Sequence, residues 1–376
     1  MTGAIVHEWV ERHGGAENVV AQMAARFPDA PVVCAWDDTH GEFAPGRTVE
    51  TWMARTAVRR SKVAAMPIMP LAWRRLPIEG ADWLLCSSHL FAHHARVAAE
   101  PDIPKFAFVH TPARYLWVPE LDGRGDGVAV RLAARPLKAI DRRRAQEPVG
   151  IAAVSRYIAA RIERCWDREA TVIHPPVDIA SFAAPERLSG ADADVVARLP
   201  DAFILGASRF VPYKRIDAAI RAGEASDLPV VLAGDGPDRA RLEEIARECS
   251  VPVQFLGRTS DALLRALYRR ATVYVFAPIE DFGIMPVEAM AAGTPVVARD
   301  LGGASETVTD GVTGSLVADL APESLKAAVL TAAALDPDAC RTRAAVFDGR
   351  LFGDRVARWM GSLGAEVGAV DTSGDR

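Results

Sequence analysis

A short apolar run followed by an amphipathic stretch recurs along the whole chain, and the runs do not alternate apolar with polar residues. In the first half they fall at residues 4–6, 32–35, 83–86, 106–109, 151–154 and 171–173. In the second half they fall at 203–206, 230–233, 253–256, 273–276, 296–298 and 315–317. Runs of this kind fit strands covered on both faces, and helical stretches between them fit parallel pairing. One such stretch, 238–249, puts Leu242, Ile245 and Ala246 on a single helical face. The pattern predicts an α/β chain with two doubly wound parallel sheets. No repeat of about 20–50 residues is present, which excludes a solenoid.

The seam between the sheets falls at His174-Pro175-Pro176-Val177-Asp178, because paired prolines cannot continue a helix. Residues 1–178 are expected to form one domain and 195–345 the other. An aromatic helical segment with Phe347, Phe352 and Trp359, about 346–364, is expected to return to the first domain. The last dozen residues are small and polar, with the composition of a frayed end. A length of 376 residues suits two domains at roughly 100–200 residues each. Strand carboxyl ends face ligands in such sheets, so two facing sheets would create one interdomain cleft.

Charge and cysteine usage remove several function classes. Lys and Arg total 44 against 49 Asp and Glu, a net charge of −5 that argues against a general nucleic-acid binder. The longest apolar candidate for a membrane span, 63–73, is far short of the ~20 residues required and is broken by Pro67 and Pro70. No Lys/Arg-led apolar signal opens the sequence. Five scattered cysteines without a CxxC pair fit reduced thiols rather than a disulfide frame or zinc site. These features lead to the expectation of a cytoplasmic protein.

The most informative segment runs from Glu280-Asp281-Phe282-Gly283-Ile284-Met285-Pro286 through Glu288 to Gly293-Thr294-Pro295. Pro286 suits the first helical position, where its missing N–H would go unpaired in any case. The Phe282-Gly283-Ile284 turn would then aim backbone N–H groups and a helix dipole at an anion. Glu280 and Glu288 bracket that turn, and a carboxylate accepts hydrogen bonds from sugar or ribose hydroxyls. Arg209 and Lys214 follow the run ending at Gly206, where two cations would meet the developing charge of a leaving diphosphate. Gly14-Gly15 after the first run would let the backbone approach a phosphate. It is not a G-x-G-x-x-G, which disfavours NAD.

Over nearly its full length the sequence resembles the retaining glycosyltransferases of family 4, with two facing Rossmann-like domains in the GT-B fold. The resemblance implies that Arg209 and Lys214 hold the donor diphosphate. It also implies that Glu280 orients the donor sugar, Glu288 the ribose, and Gly257-Arg258 the base. His110, in His-Thr-Pro-Ala-Arg-Tyr, matches the family histidine near the donor sugar. That hexapeptide and Gly302-Gly303-Ala304-Ser305-Glu306-Thr307-Val308 resemble a bacterial subgroup of GDP-mannose-dependent mannosyltransferases of surface-polysaccharide synthesis, which commonly has Asp where Glu8 stands. The implied partners are a nucleotide-sugar co-substrate and a glycan or lipid-linked acceptor, with no cofactor and no metal. His89, His93 and His94 have no acid or thiol at ligand spacing in the sequence. A UDP-sugar transferase, a sugar-nucleotide epimerase of similar architecture and a non-enzymatic sensor are the alternatives.

Between Thr51 and Ile78 six basic residues (Arg55, Arg59, Arg60, Lys62, Arg74, Arg75) interleave with Trp52, Val63, Met66, Ile68, Met69, Leu71 and Trp73, without an acid. The stretch reads equally as an anionic-membrane contact or as a domain surface. A second basic run, residues 131–144, contains Asp141 and reads as an exposed helix.

Overall fold

The computed structural model describes residues 2–12, 14–39, 41, 43–119, 128–184 and 187–367. Most of the expected frayed end therefore lies outside the described residues. The chain divides into two compact units, one formed by Met1–Pro176 with Gly349–Arg376 and the other by Val177–Asp348.

The first unit holds a seven-stranded parallel sheet. Its strands are β1 (Ala4–His7), β2 (Val32–Cys34), β3 (Thr48–Glu50), β4 (Leu84–Ser88), β5 (Lys105–Val109), β6 (Gly150–Ala153) and β7 (Thr171–Val172). Their order is β3-β2-β1-β4-β5-β6-β7. Except at the two edges, every strand residue is buried, as runs covered on both faces require. β3 was not legible as an apolar run, because Thr48-Val49-Glu50 is a half-exposed edge strand that needs only one covered face. Helix Phe352–Ser362 belongs to this unit and packs on helix Gly15–Arg26. Arg26 Nε donates to Asp354 at 2.9 Å, and Phe352 and Trp359 meet Phe108 and Phe106 edge-on.

The second unit holds a six-stranded parallel sheet of β8 (Ile204–Ala207), β9 (Val230–Ala233), β10 (Val253–Gly257), β11 (Val273–Phe276), β12 (Val296–Arg299) and β13 (Gly314–Val317). Their order is β10-β9-β8-β11-β12-β13. In each sheet the order reverses once, between β1 and β4 in the first and between β8 and β11 in the second. At such a point neighbouring crossovers leave to opposite faces and open a crevice at the strand carboxyl ends. All five cysteines are free thiols, and among the described residues no helix is long and apolar enough to cross a membrane.

The basic apolar stretch is largely committed to its own unit. Met53, Met69 and Trp73 are core residues. Arg59 pairs with Asp38 at 3.0 Å, Lys62 with Glu11 at 2.6 Å and Arg74 with Glu147 at 2.7 Å. The exposed remainder is Trp52, Val63 and Leu71 with Arg55, Arg60 and Arg75. Helix Val128–Arg144 forms as expected but is not merely a solvated element. Asp141 is buried and accepts from the indole N–H groups of Trp117 and Trp166, both at 2.7 Å.

Candidate functional site

At the reversal point of the second sheet, loops after β8 and β11 bring Lys214 and Glu280 into a direct ion pair. The side chains are 12% and 21% exposed, so the pair is shielded yet reachable. Lys214 ends the short helix Pro212–Lys214, and its ammonium lies 5.6 Å from the centre of the Tyr213 ring. Arg209 is exposed and donates to the Tyr213 hydroxyl at 2.9 Å. Two cations, one carboxylate and a phenol thus share one loop cluster. Arg258 is exposed at the end of β10.

The helix beside this cluster, Ile284–Ala291, is capped by Gly283 at φ 89°, a left-handed conformation that a β-carbon would strain. Pro286 is its third residue, not its first as expected. The chemistry is unchanged, because none of the first four N–H groups of a helix has an intrahelical acceptor. No side chain caps this end, which leaves the N–H groups of the first turn for an anion. Ile284 is partly exposed, whereas Phe282 is buried and its ring packs on Phe347 at 5.6 Å. Only the backbone of Phe282 is therefore suited to a ligand. At the far end, Gly293 at φ 93° turns the chain into β12, as the Gly-Thr-Pro triplet implies.

Two glycine pairs hold these loops by close approach. A β-carbon on Gly303 would stand 2.2 Å from Cα of Phe282, and one on Gly302 would stand 2.8 Å from the Glu280 carbonyl oxygen. The Gly303 N–H donates to that carbonyl at 2.8 Å. Likewise a β-carbon on Gly234 would meet the Ser208 carbonyl at 1.8 Å, and one on Gly236 the Phe210 carbonyl at 2.3 Å. Gly234-Asp235-Gly236 is thus the bed on which the Arg209 segment lies.

Glu288 faces inward from the same helix. Burial pushes its pKa up to about 7, against the opposing effect of the Tyr268 hydroxyl, which donates to it at 3.4 Å; the Asp261 charge adds to the rise. Tyr268 and Tyr274 are fully buried, 5.2 Å apart edge-on, and Tyr274 donates to the Ala207 carbonyl at 3.0 Å. Neither tyrosine stood out in the sequence, because each lies inside a segment that also reads as core.

The reversal point of the first sheet is equally polar. Glu8 follows β1 and is wholly buried. Its Oε1 accepts from the N–H groups of His89, Leu90 and Ala92 at 2.8–3.1 Å and from the Ser88 hydroxyl at 3.3 Å. Its Oε2 lies 3.1 Å from Nδ1 of His89. Burial works to raise the Glu8 pKa, but His89, His7 and the backbone donors together outweigh it and hold it at about 2. His110 follows β5, and its Nε2 lies 2.9 Å from the Ser87 hydroxyl. Desolvation, reinforced by His89 and His7, lowers His110 to about 3. Desolvation likewise takes His7 to about 4, and its Nδ1 donates to the Ser87 carbonyl at 3.1 Å. Gly14 and Gly15 are exposed at the start of helix Gly15–Arg26, and a β-carbon on Gly14 would meet only the flexible Glu17 side chain.

His89, His93 and His94 have no acid at ligand spacing in the sequence, yet the fold gives each an acidic neighbour. The fold brings Glu8 to His89, and Asp141 to His94 Nε2 at 2.9 Å and to His93 Nε2 at 3.1 Å. These partners lie tens of residues away, beyond the reach of a spacing argument. Both clusters have ligand-type atoms within 4.8 Å of one another. The protein's own donors already occupy one Glu8 oxygen and both Asp141 oxygens, as a hydrogen-bonded core requires.

Solved structures share this architecture. The crystal structure of Anabaena Alr3699/HepE in complex with UDP matches it with a TM-score of 0.69 at 18% identity, over 96% of this chain and 100% of that one. The fold is therefore GT-B, with two Rossmann-like parallel-sheet domains. Residues 13–181 match the family model described as Glycosyltransferase Family 4, and residues 192–345 match that described as Glycosyl transferases group 1. Each unit thus carries a glycosyltransferase family segment. A D-inositol 3-phosphate glycosyltransferase of Mycolicibacterium gilvum is 37% identical over 179 residues, covering 44% of this chain and 39% of that protein. A GDP-mannose-dependent alpha-(1-6)-phosphatidylinositol monomannoside mannosyltransferase of Mycolicibacterium smegmatis is 32% identical over 245 residues, 54% of this chain and 62% of that protein. The matched segments span less than two thirds of either relative.

Proposed function

We propose that the protein is a retaining, metal-independent hexosyltransferase that moves mannose from GDP-mannose to a glycan or lipid-linked acceptor. The observation that carries this reading is the meeting of Lys214, Glu280 and Arg209 beside the uncapped amino end of helix Ile284–Ala291, at the carboxyl ends of β8 and β11. A donor diphosphate satisfies Lys214, Arg209 and the helix N–H groups together, and their attraction grows as the leaving group takes up charge. Donor binding draws Lys214 onto the phosphate and frees Glu280 for the sugar hydroxyls, while Glu288 meets the ribose and Arg258 the base. The bond from C1 to the phosphate oxygen breaks as the bond from C1 to the acceptor oxygen forms on the same face. The departing phosphate oxygen takes the acceptor's proton. His110 lines the sugar side. GDP-mannose is favoured by the His-Thr-Pro-Ala-Arg-Tyr segment and by the mannosyltransferase relative. Trp52, Val63 and Leu71 with Arg55, Arg60 and Arg75 would meet an anionic membrane if the acceptor is lipid-borne.

A thermal-shift panel of GDP-, UDP- and ADP-sugars, with and without EDTA, tests the donor. A ligand at 100 times its Kd adds about 2.7 kcal/mol to stability. GDP and GDP-mannose should raise the melting point equally with and without the chelator. A response to UDP-sugars alone would replace the donor, and a response abolished by EDTA would end metal independence.

A further inference from the structure

We infer that Arg215 and Asp217 form a clamp that holds Lys214 in place for the donor diphosphate, the buried Asp217 carboxylate fixing a turn that an arginine backbone disfavours. Both residues act through Lys214 and are positioning residues. The inference deepens the transferase reading and rests on it for the identity of the ligand.

Arg215 ends the short helix Pro212–Lys214 at φ 49° and ψ 42°, in the left-handed region. A β-carbon crowds the following carbonyl there, so glycine enters freely, Asn and Asp less so, and other residues rarely. Among the described residues, the other non-glycines at positive φ are Asp167 and Asp227, both of the more tolerant type. Arg215 is therefore the outlier, and it directly follows the lysine that pairs with Glu280. A strained conformation beside a site persists only where its surroundings over-determine it. The Arg215 N–H donates to the Pro212 carbonyl at 3.2 Å, and the Arg215 carbonyl accepts from the Ala218 N–H at 3.0 Å. The left-handed residue thus sets the angle between the short helix that carries Lys214 and helix Asp217–Ser226.

The Arg215 side chain supplies the further restraint. Its Nε donates to Oδ1 of Asp217 at 3.2 Å and its Nη2 to Oδ2 at 3.3 Å, a fork that closes over the turn. The Asp217 side chain is only 3% exposed. Two more guanidinium groups face the same carboxylate, Arg221 at 3.5 Å and Arg241 at 3.7 Å. Held from three directions, the carboxylate is a fixed anchor. Arg241 in turn donates to both oxygens of Asp238, at 2.8 and 2.7 Å, and the Asp238 N–H donates to the Phe210 carbonyl at 2.9 Å. Asp217 therefore ties the Lys214 turn to the segment that carries Arg209, and one acid keeps both cations of the loop cluster in register.

Glycine at position 215 separates this role from a direct phosphate contact by the Arg215 guanidinium. Arg215→Ala removes the fork but keeps the β-carbon that resists the turn, whereas Arg215→Gly removes both. Full-length wild type, Arg215→Ala, Arg215→Gly and Asp217→Asn are to be compared by titration calorimetry with GDP. Trace acetylation of Lys214 without nucleotide, read by peptide mass spectrometry, reports the lysine itself. Arg215→Ala and Asp217→Asn should each weaken GDP at least fivefold and acetylate Lys214 at least threefold faster, as the ammonium leaves Glu280. Arg215→Gly should stay within twofold of wild type in both measurements, because glycine takes the turn without an anchor. Arg215→Ala leaves Asp217 its other two arginines, so the two Arg215 variants decide the matter if Asp217→Asn fails to fold. Wild-type behaviour of Arg215→Ala or Asp217→Asn would overturn the inference. So would an Arg215→Gly as weak as Arg215→Ala, which would make Arg215 a phosphate ligand. A wild type that binds GDP, with Lys214 equally reactive in every variant, would defeat the clamp and leave the donor reading standing. A wild type indifferent to GDP, with Lys214 reactivity raised by Arg215→Ala and restored by Arg215→Gly, would do the reverse.

Discussion

Glu288 shows how a side chain can be ordinary in sequence and unusual in place. Its pKa of about 7 lies above the ordinary 4.5 because burial penalises the charge. Between these values the folded protein holds more protons than the unfolded chain, so this group makes stability fall as pH rises from about 4.5 to 7 and then level off. The expected loss is on the order of 1–3 kcal/mol. Denaturant melts of wild type and Glu288→Gln across that window should converge at low pH and separate above pH 7, with the variant the more stable. Parallel curves would mean that Glu288 is ionised when folded. At this scale the sequence was informative where a residue stood in a distinctive string, as Arg209, Lys214 and Glu280 do. It was silent where the partner comes from another strand. His89 could not be placed at a strand end from the sequence, because β4 continues through Ser87 and Ser88, both buried despite their polarity.

At the scale of elements, the loops are positioned by backbone proximity more than by side chains. Gly303 sits at an ordinary helical φ of −68°, so its requirement is space and not conformation. Gly303→Ala would drive a methyl group into the Phe282 backbone, 2.2 Å away. Overpacking of this kind costs about 1–3 kcal/mol, and here it displaces the turn that carries Glu280. The melting point should fall and donor turnover should drop by at least tenfold, whereas Gly311→Ala, with open space around it but φ 70°, should cost stability alone. Equal turnover in Gly303→Ala and wild type would show that the turn tolerates movement. Interior strands were readable because covering both faces demands continuous apolar residues. The edge strand β3 and the contact of Gly302-Gly303 with residues 280–282 were not, since neither leaves a periodic trace. Helix Val128–Arg144 was legible as a helix, but a basic composition concealed the buried Asp141 that anchors it.

At the scale of the molecule, each sheet places its polar residues at its one reversal of strand order, cationic in the second unit and histidine-rich in the first. The two reversal points thus differ in chemistry, one pairing Lys214 with Glu280 and the other placing Glu8 beside His89. This difference was partly visible in the sequence as two strand–helix series, each with charged residues after its central runs. The central claim is that Lys214 grips the donor diphosphate while Glu280 acts on the reacting sugar. Titration calorimetry of GDP-mannose into wild type, Lys214→Ala and Glu280→Gln, paired with the release of GDP on turnover, tests it most directly. Lys214→Ala should weaken binding at least tenfold and lower turnover as well, because it meets charge already present in the ground state. Glu280→Gln should bind within about threefold of wild type and turn over at least a hundredfold more slowly. Unchanged binding in Lys214→Ala, or unchanged turnover in Glu280→Gln, would contradict the account.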